Sequence, residues 1–181
     1  MNDAEEVVIL VDASDRQIGT QAKLAAHIEG NMHRAISIFL FNANGDMLLQ
    51  RRAATKYHAG LKWANACCSH PRLNEAPMDA ATRRLGEELN ITVPLSSAFQ
   101  TSYRAEVGND LIEHEYVHAF VGYTEDIPVP NPEEVCETAF MPLTQIFQLS
   151  QQEPELFAPW FLFYLKNHQS ELLNLSASTA S

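Results

Sequence analysis

Short apolar runs of strand length dominate the first half of the chain. Residues 7–12 (Val-Val-Ile-Leu-Val-Asp) predict a strand and residues 13–15 a turn. Residues 35–41 and 47–51 predict two more strands, joined by Asn42-Ala43-Asn44-Gly45, whose Asn-Gly pair is a strong hairpin signal. A short strand is expected over 63–67. Pro77 then suits the first turn of a helix, and 78–89 carries good helix formers up to Asn90. Residues 99–105 and 112–123 predict strands around the turn Val107-Gly108-Asn109-Asp110. The Pro-rich stretch 127–132 is a connector, followed by a strand at 138–141. Two helices close the chain, at 143–149 and about 154–173, the latter with Leu156, Phe157, Trp160, Phe161 and Tyr164 at helical spacing.

The order of elements predicts one α+β domain over residues 1–181 with mixed sheets, and disordered tails at about 1–6 and 175–181. With 181 residues and 46% hydrophobic positions the chain can bury a substantial core. No apolar run approaches the roughly 18–20 residues of a membrane span. The start, Met1-Asn2-Asp3-Ala4-Glu5-Glu6, is acidic rather than basic, so a cytoplasmic protein without a membrane partner is expected. A formal net charge of -11 argues against a nucleic-acid partner. It also means that an anionic ligand would need the few cations gathered locally, or a metal between. Three cysteines, two of them adjacent, do not read as a disulfide framework.

Candidate chemistry enters with Glu113-His114-Glu115. Strand alternation puts Glu113 and Glu115 on one face, where two carboxylates repel unless a cation lies between them. Two solvated acids on an exposed strand is the ordinary alternative. Cys68-Ser69-His70-Pro71 sets a thiol two residues from an imidazole, suited to nucleophilic or proton-transfer chemistry or to metal binding. His27 and His33 are weak signals singly. Together, three histidines and two same-face carboxylates would make a mixed N/O site for Mg²⁺, Mn²⁺ or Zn²⁺. From Glu75 through Arg83-Arg84-Leu85-Gly86-Glu87-Glu88-Leu89-Asn90-Ile91 the chain resembles the Nudix box. Ser69 and Asn90 stand where its first and last glycines belong, and Arg84 where the first Glu of Arg-Glu-aliphatic belongs. That change turns part of a Mg²⁺-holding carboxylate cluster into a phosphate-binding cation.

These segments, in this order, resemble type I isopentenyl-diphosphate isomerase, a Nudix-fold branch. The likeness runs from about residue 8 to 166 and also rests on Ala25-Ala26-His27, Arg51-Arg52-Ala53, Trp63-Ala64-Asn65, Tyr103-Arg104-Ala105 and Pro159-Trp160. It implies an α/β/α sandwich, and His27, His33, His70, Glu113 and Glu115 as ligands of a divalent metal (Mn²⁺, Mg²⁺ or Zn²⁺). It makes Cys68 and Glu115 the proton-transfer groups, with Tyr103 beside Glu115. Glu88 would hold a Mg²⁺ arriving with the diphosphate. Lys23, Arg52, Lys56 and Arg84 would bind that diphosphate, and Trp160 would cover the hydrocarbon end of isopentenyl diphosphate. Cys67 is expected to pack on the other strand face.

The implied reaction adds a proton at C4 and removes one from C2. The sequence does not decide which group protonates; one order is delivery from Glu115, assisted by Tyr103, with removal by a Cys68 thiolate, and the reverse stays open. Two other readings stand beside it, a Nudix pyrophosphohydrolase and a non-catalytic diphosphate-binding module. The protein is expected to be a monomer, with weak homo-oligomerisation as the alternative.

Overall fold

A computed structural model of the chain describes residues 6–56 and 58–178. Its hub is strand β3 (His33–Phe41), which is hydrogen-bonded along its whole length, in parallel, to β8 (Leu111–Tyr123). β3 also meets β1 (Val7–Val11), β4 (Met47–Arg52) and β6 (Cys67–Ser69), all antiparallel. Outer strands complete the sheet: β2 (Gln17–Ala22) on β1, β5 (Trp63–Asn65) and β9 (Val135–Met141) on β4, and β7 (Ser96–Gly108) on β8.

A strand covered on both faces reads as a largely apolar run, and β3 does from Ala35 to Phe41, with Ser37 as the polar exception. Ile36, Ile38 and Leu40 face helix α2 (Pro77–Leu89) and pack with Leu85 and Leu89. Ala35, Phe39 and Phe41 face the other way, against Phe161, Tyr164 and Leu165 of helix α4 (Pro159–Asn167). This is the expected sandwich, helices over both faces of a mixed sheet. Leu85 is 1% exposed, so truncating it to Ala would cost about 2–5 kcal/mol. Pro77 opens α2 at its first turn, and Asn90 closes it in the left-handed region at φ 54°.

Several elements depart from their sequence expectations for local reasons. The strand expected over 63–67 divides at Ala66, so that β5 pairs with β4 while β6 pairs with β3. A single helix over 154–173 does not form. Pro159 disfavours a helical conformation at the preceding residue, so Ala158 is extended (ψ 143°) and its amide bonds to the carbonyl of Trp63. A 3-10 turn (Pro154–Leu156) precedes it, and a break at His168 separates α4 from helix α5 (Gln169–Ala177). Helix α3 runs Leu143–Gln152, three residues beyond its expected end. Parts of the stretches expected to be disordered tails are ordered among the described residues. Glu6 is anchored through Lys23, and α5 docks on the β3–β4 hairpin through Ser176, whose hydroxyl donates to the Gly45 carbonyl at 2.7 Å. Gly45 sits at φ 77°, where a Cβ would stand 2.7 Å from Ser176 Oγ. The remaining tail residues, 1–5 and 179–181, lie outside the described residues. Strand β2 and the short helix α1 (Lys23–Glu29) were not foreseen.

Candidate active site

One cavity of about 630 Å³ opens between α1, the loop after β4, β6, α2, β8 and the start of α4. Cys68, Glu115, Tyr103, His27, His70, Glu113, Glu88, Lys23, Arg52, Lys56, Arg84 and Trp160 all line it. His33 lies behind that wall, fully buried.

Strand register builds the inner end. On β8, Glu115 stands opposite His33 of β3 on one side and Tyr103 of β7 on the other. His70 follows β6, and its Nε2 donates to Glu115 Oε1 at 3.1 Å. Helix α1 supplies His27, whose ring centroid is 4.9 Å from that of His33. One ligand atom each from His27, His33, His70 and Glu115 lie within 4.8 Å of one another. Glu113, expected in this set, turns elsewhere: Oε1 accepts from His58 Nε2 and Oε2 from the Tyr103 hydroxyl, both at 2.8 Å. The same phenol reaches Glu115 Oε2 at 2.8 Å, so a single proton bridges two carboxylates.

The donor set fits a divalent ion. His27 Nδ1 lies 2.7 Å from the Lys23 carbonyl and His33 Nδ1 2.8 Å from that of Asn31. A carbonyl only accepts, so each Nδ1 carries the proton and each Nε2 offers a lone pair. His33 Nε2 is buried without a hydrogen-bond partner among the described residues and stands 3.7 Å from Glu115 Oε1. Backbone carbonyls holding the far nitrogens are the usual support of metal-binding imidazoles. Burial, reinforced by the neighbouring His70, drives the pKa of His27 down to about 3, so it is neutral and ready to coordinate. Burial also lowers His70, whereas in His33 the contact with Glu115 outweighs burial and raises it. Burial raises Glu115, but the adjacent imidazoles of His33 and His70 prevail and hold it well below the ordinary value.

Cys68 lies on the inner face of β6, packed against the α4 cluster, whereas Cys67 is fully buried on the α2 side. Burial pushes the Cys68 thiol up to about 12, with a smaller opposing effect of the hydrogen bond to Ser37. Without a metal, the resting pair is therefore a neutral thiol and a carboxylate. For the thiol the reason is desolvation, which a sequence motif does not display.

The outer half of the cavity is a lattice of ion pairs. Lys23 Nζ meets Glu6 at 2.7 Å and Lys56 Nζ meets Glu134 at 2.8 Å. Arg84 contacts Glu88 at 2.7 Å, Glu87 at 2.8 Å and Glu134 at 3.6 Å. The second oxygen of Glu88 accepts from Gln50 Nε2 at 3.0 Å. Arg52 lies over the Trp160 ring, 5.1 Å from its centroid. The acids Glu6 and Glu134 and the buried His58 were missed, and Glu87 was noted only as part of the Nudix box. His58 was legible only as one more histidine, and nothing local marks Glu6 or Glu134 as partners of distant lysines.

Residues 31–161 match the NUDIX domain family. An isopentenyl-diphosphate Delta-isomerase 2 from Aromatoleum aromaticum is 47% identical over 86% of this chain and 82% of its own length. The isopentenyl-diphosphate Delta-isomerase of Cereibacter sphaeroides is 48% identical, over 83% of this chain and 86% of its own. The fold is shared with DR0079 from Deinococcus radiodurans (TM-score 0.75, 15% identity, 89% of this chain and 98% of that one). A MutT protein from Methanosarcina mazei is a second neighbour (TM-score 0.61, 16% identity, 83% and 96%). On its NUDIX domain and its identity to these curated relatives, the chain belongs to the isopentenyl-diphosphate Delta-isomerase family.

Proposed function

We propose that the chain isomerises isopentenyl diphosphate to dimethylallyl diphosphate, with Cys68 and Glu115 as its proton-transfer groups. The observation that carries this reading is the convergence of a buried thiol, a Tyr103-bonded carboxylate and an imidazole cluster in the cavity that also holds the cations. A hydrolase reading has less support, because Arg84 stands in the Nudix helix where a carboxylate would help hold Mg²⁺, and it neutralises Glu88. A mere binding module would have no use for the thiol and carboxylate.

His27, His33, His70 and Glu115, with Glu113 beside them, would hold one divalent ion, and Glu88 a Mg²⁺ carried by the diphosphate. Bound there, a divalent cation supplies positive charge that fixes the orientation and proton affinity of Glu115. Lys23, Lys56 and Arg84 exchange their carboxylate partners for diphosphate oxygens, and Arg52 donates from its place over Trp160. An unactivated alkene is a weak base, so the acid must be close and shielded from water. The Trp160 face stabilises the tertiary cation without trapping it.

Burial of the Cys68 thiol favours the opposite order of transfer. Cys68 carries the proton that goes to C4, and the Glu115 carboxylate takes the one from C2. Each turnover leaves the two groups with their protons exchanged, and returning that proton completes the cycle.

The deciding experiment incubates the protein with isopentenyl diphosphate and Mg²⁺ in D₂O. Deuterated dimethylallyl diphosphate is expected. Released phosphate would replace the reading by hydrolysis, and unchanged substrate by simple binding. Assaying Cys68→Ser and Glu115→Gln for deuterium at C4 and for loss of the C2 hydrogen tests the order of transfer. Adding Mn²⁺, Mg²⁺ or Zn²⁺ singly to chelated protein identifies the ion that supports turnover.

A further inference from the structure

The sulfur of Cys68 rests on two buried side chains that the proposed reaction has not yet used. Ser37 of β3 is the register partner of Cys68, and its Oγ lies 3.2 Å from Sγ. Asn65, at the end of β5, places Oδ1 at 3.2 Å from the same sulfur and Nδ2 at 2.9 Å from Ser37 Oγ. The three side chains close a triangle, and both Ser37 and Asn65 are 0% exposed.

Counting donors fixes the direction of each side. Asn65 Nδ2 also faces the carbonyls of Ile38 at 2.9 Å and Cys67 at 3.2 Å, which only accept. The amide nitrogen therefore occupies that side, and Oδ1 points at the sulfur. An amide oxygen cannot donate, so the Cys68 S–H donates to it. Ser37 Oγ faces an amide nitrogen that only donates, so it accepts from Asn65. The thiol proton is directed at Asn65 Oδ1, so in the Ser37–Cys68 contact the serine hydroxyl donates and the sulfur accepts.

These two contacts suit different charge states. Asn65 Oδ1 accommodates the thiol and would repel a thiolate. Ser37 O–H strengthens when the sulfur is negative, as charge-assisted hydrogen bonds do. A sulfur that loses and regains a proton in every cycle needs a partner in both states. We propose that Ser37, aimed by Asn65, is a positioning residue that holds the Cys68 sulfur while it is unprotonated. The inference rests on the isomerase reading, and it adds a donor beneath the reacting sulfur that touches no substrate.

Ser37→Ala removes the donor while Asn65 keeps both backbone acceptors, so the variant is expected to fold with a melting temperature close to wild type. Its kcat is expected to fall about ten- to a hundred-fold, the loss of one hydrogen bond to a developing charge, with KM for isopentenyl diphosphate within about two-fold. Ser37→Thr, which restores the hydroxyl, is expected to recover most of kcat. A kcat within two-fold of wild type in Ser37→Ala would overturn the proposal, as would a parallel rise in KM. Alkylation of Cys68 by iodoacetamide, followed by peptide mass, decides without reference to turnover. A several-fold slower reaction in Ser37→Ala supports the proposal, and an unchanged rate overturns it. Wild-type protein that failed to isomerise would defeat the functional reading alone, since the alkylation comparison stands apart from it.

Discussion

His27 and Lys23 stand one helical turn apart on α1 and line the same cavity, yet they are held in different ways. His27 is tied to the backbone of its own helix, through the Lys23 carbonyl. Lys23 is tied to the tip of another side chain, Glu6, seventeen residues earlier. The contrast extends to both halves of the cavity. The inner groups are aimed by backbone carbonyls, strand register and a bridging phenol, and their positions are set before any ligand arrives. The outer groups are neutralised by flexible carboxylates that a diphosphate can replace. The inner half is built for geometry, the outer half for exchange.

Substitutions should divide along the same line. Cys68→Ala is expected to reduce kcat on the order of a thousand-fold while metal content, read by plasma mass spectrometry, stays unchanged. Retained turnover would remove the reaction from the inner half. Next in size, His33→Gln is expected to lower affinity for the divalent ion at least ten-fold in equilibrium dialysis, because it removes a ring nitrogen that a backbone carbonyl pre-aims. Unaltered affinity would mean that the imidazole cluster is structural. In the outer half, Lys56→Ala is expected to raise KM several-fold with little change in kcat, since it removes ground-state binding. A fall in kcat alone would show that this cation acts on the transition state.

Two smaller effects test the exchange itself. Glu134→Gln withdraws the carboxylate that occupies Lys56 and is expected to tighten inorganic pyrophosphate about two-fold in calorimetry, opposite in sign to Lys56→Ala. The pair of Glu75 and Arg83 at the cavity rim serves as a control. Hydrogen bonding to Arg83 lowers the Glu75 pKa from 4.5. A carboxylate whose folded-state pKa is depressed contributes stability above its unfolded value and loses it as the pH falls. The gap in melting temperature between wild type and Glu75→Gln should thus be constant above about pH 5 and close below 4.5. The pair is partly solvated, so the full contribution is about 1 kcal/mol or less.

Most of the framework was legible because it is local. The mostly apolar run of β3, the Asn44-Gly45 hairpin and the Pro77 start of α2 each announce themselves within a few residues. Every residue that the family resemblance implied for the site lines the cavity, apart from His33 just behind it. What escaped depends on distant partners. Glu134 and Lys56 are 78 residues apart, His58 and Glu113 are 55 apart, and their pairing is decided by how the sheet closes. Helix α1 was missed because it is seven residues long and has no side-chain cap, while apolar periodicity carried the last helix across Pro159. The upward push on the Cys68 thiol escaped because it arises from desolvation by the assembled core.

The parallel register of β3 and β8 has a consequence for how the molecule assembles. Glu115 meets His33 across 82 residues of chain, and a slip of one position would present His114 or Tyr116 in its place. Contacts at such separation form late in folding, since loop closure must precede them. The four metal-facing groups therefore come together only once the hub has zipped in the correct frame. A divalent ion added during refolding should be captured in the slowest phase, and its uptake would report that the chain has reached its correct registry.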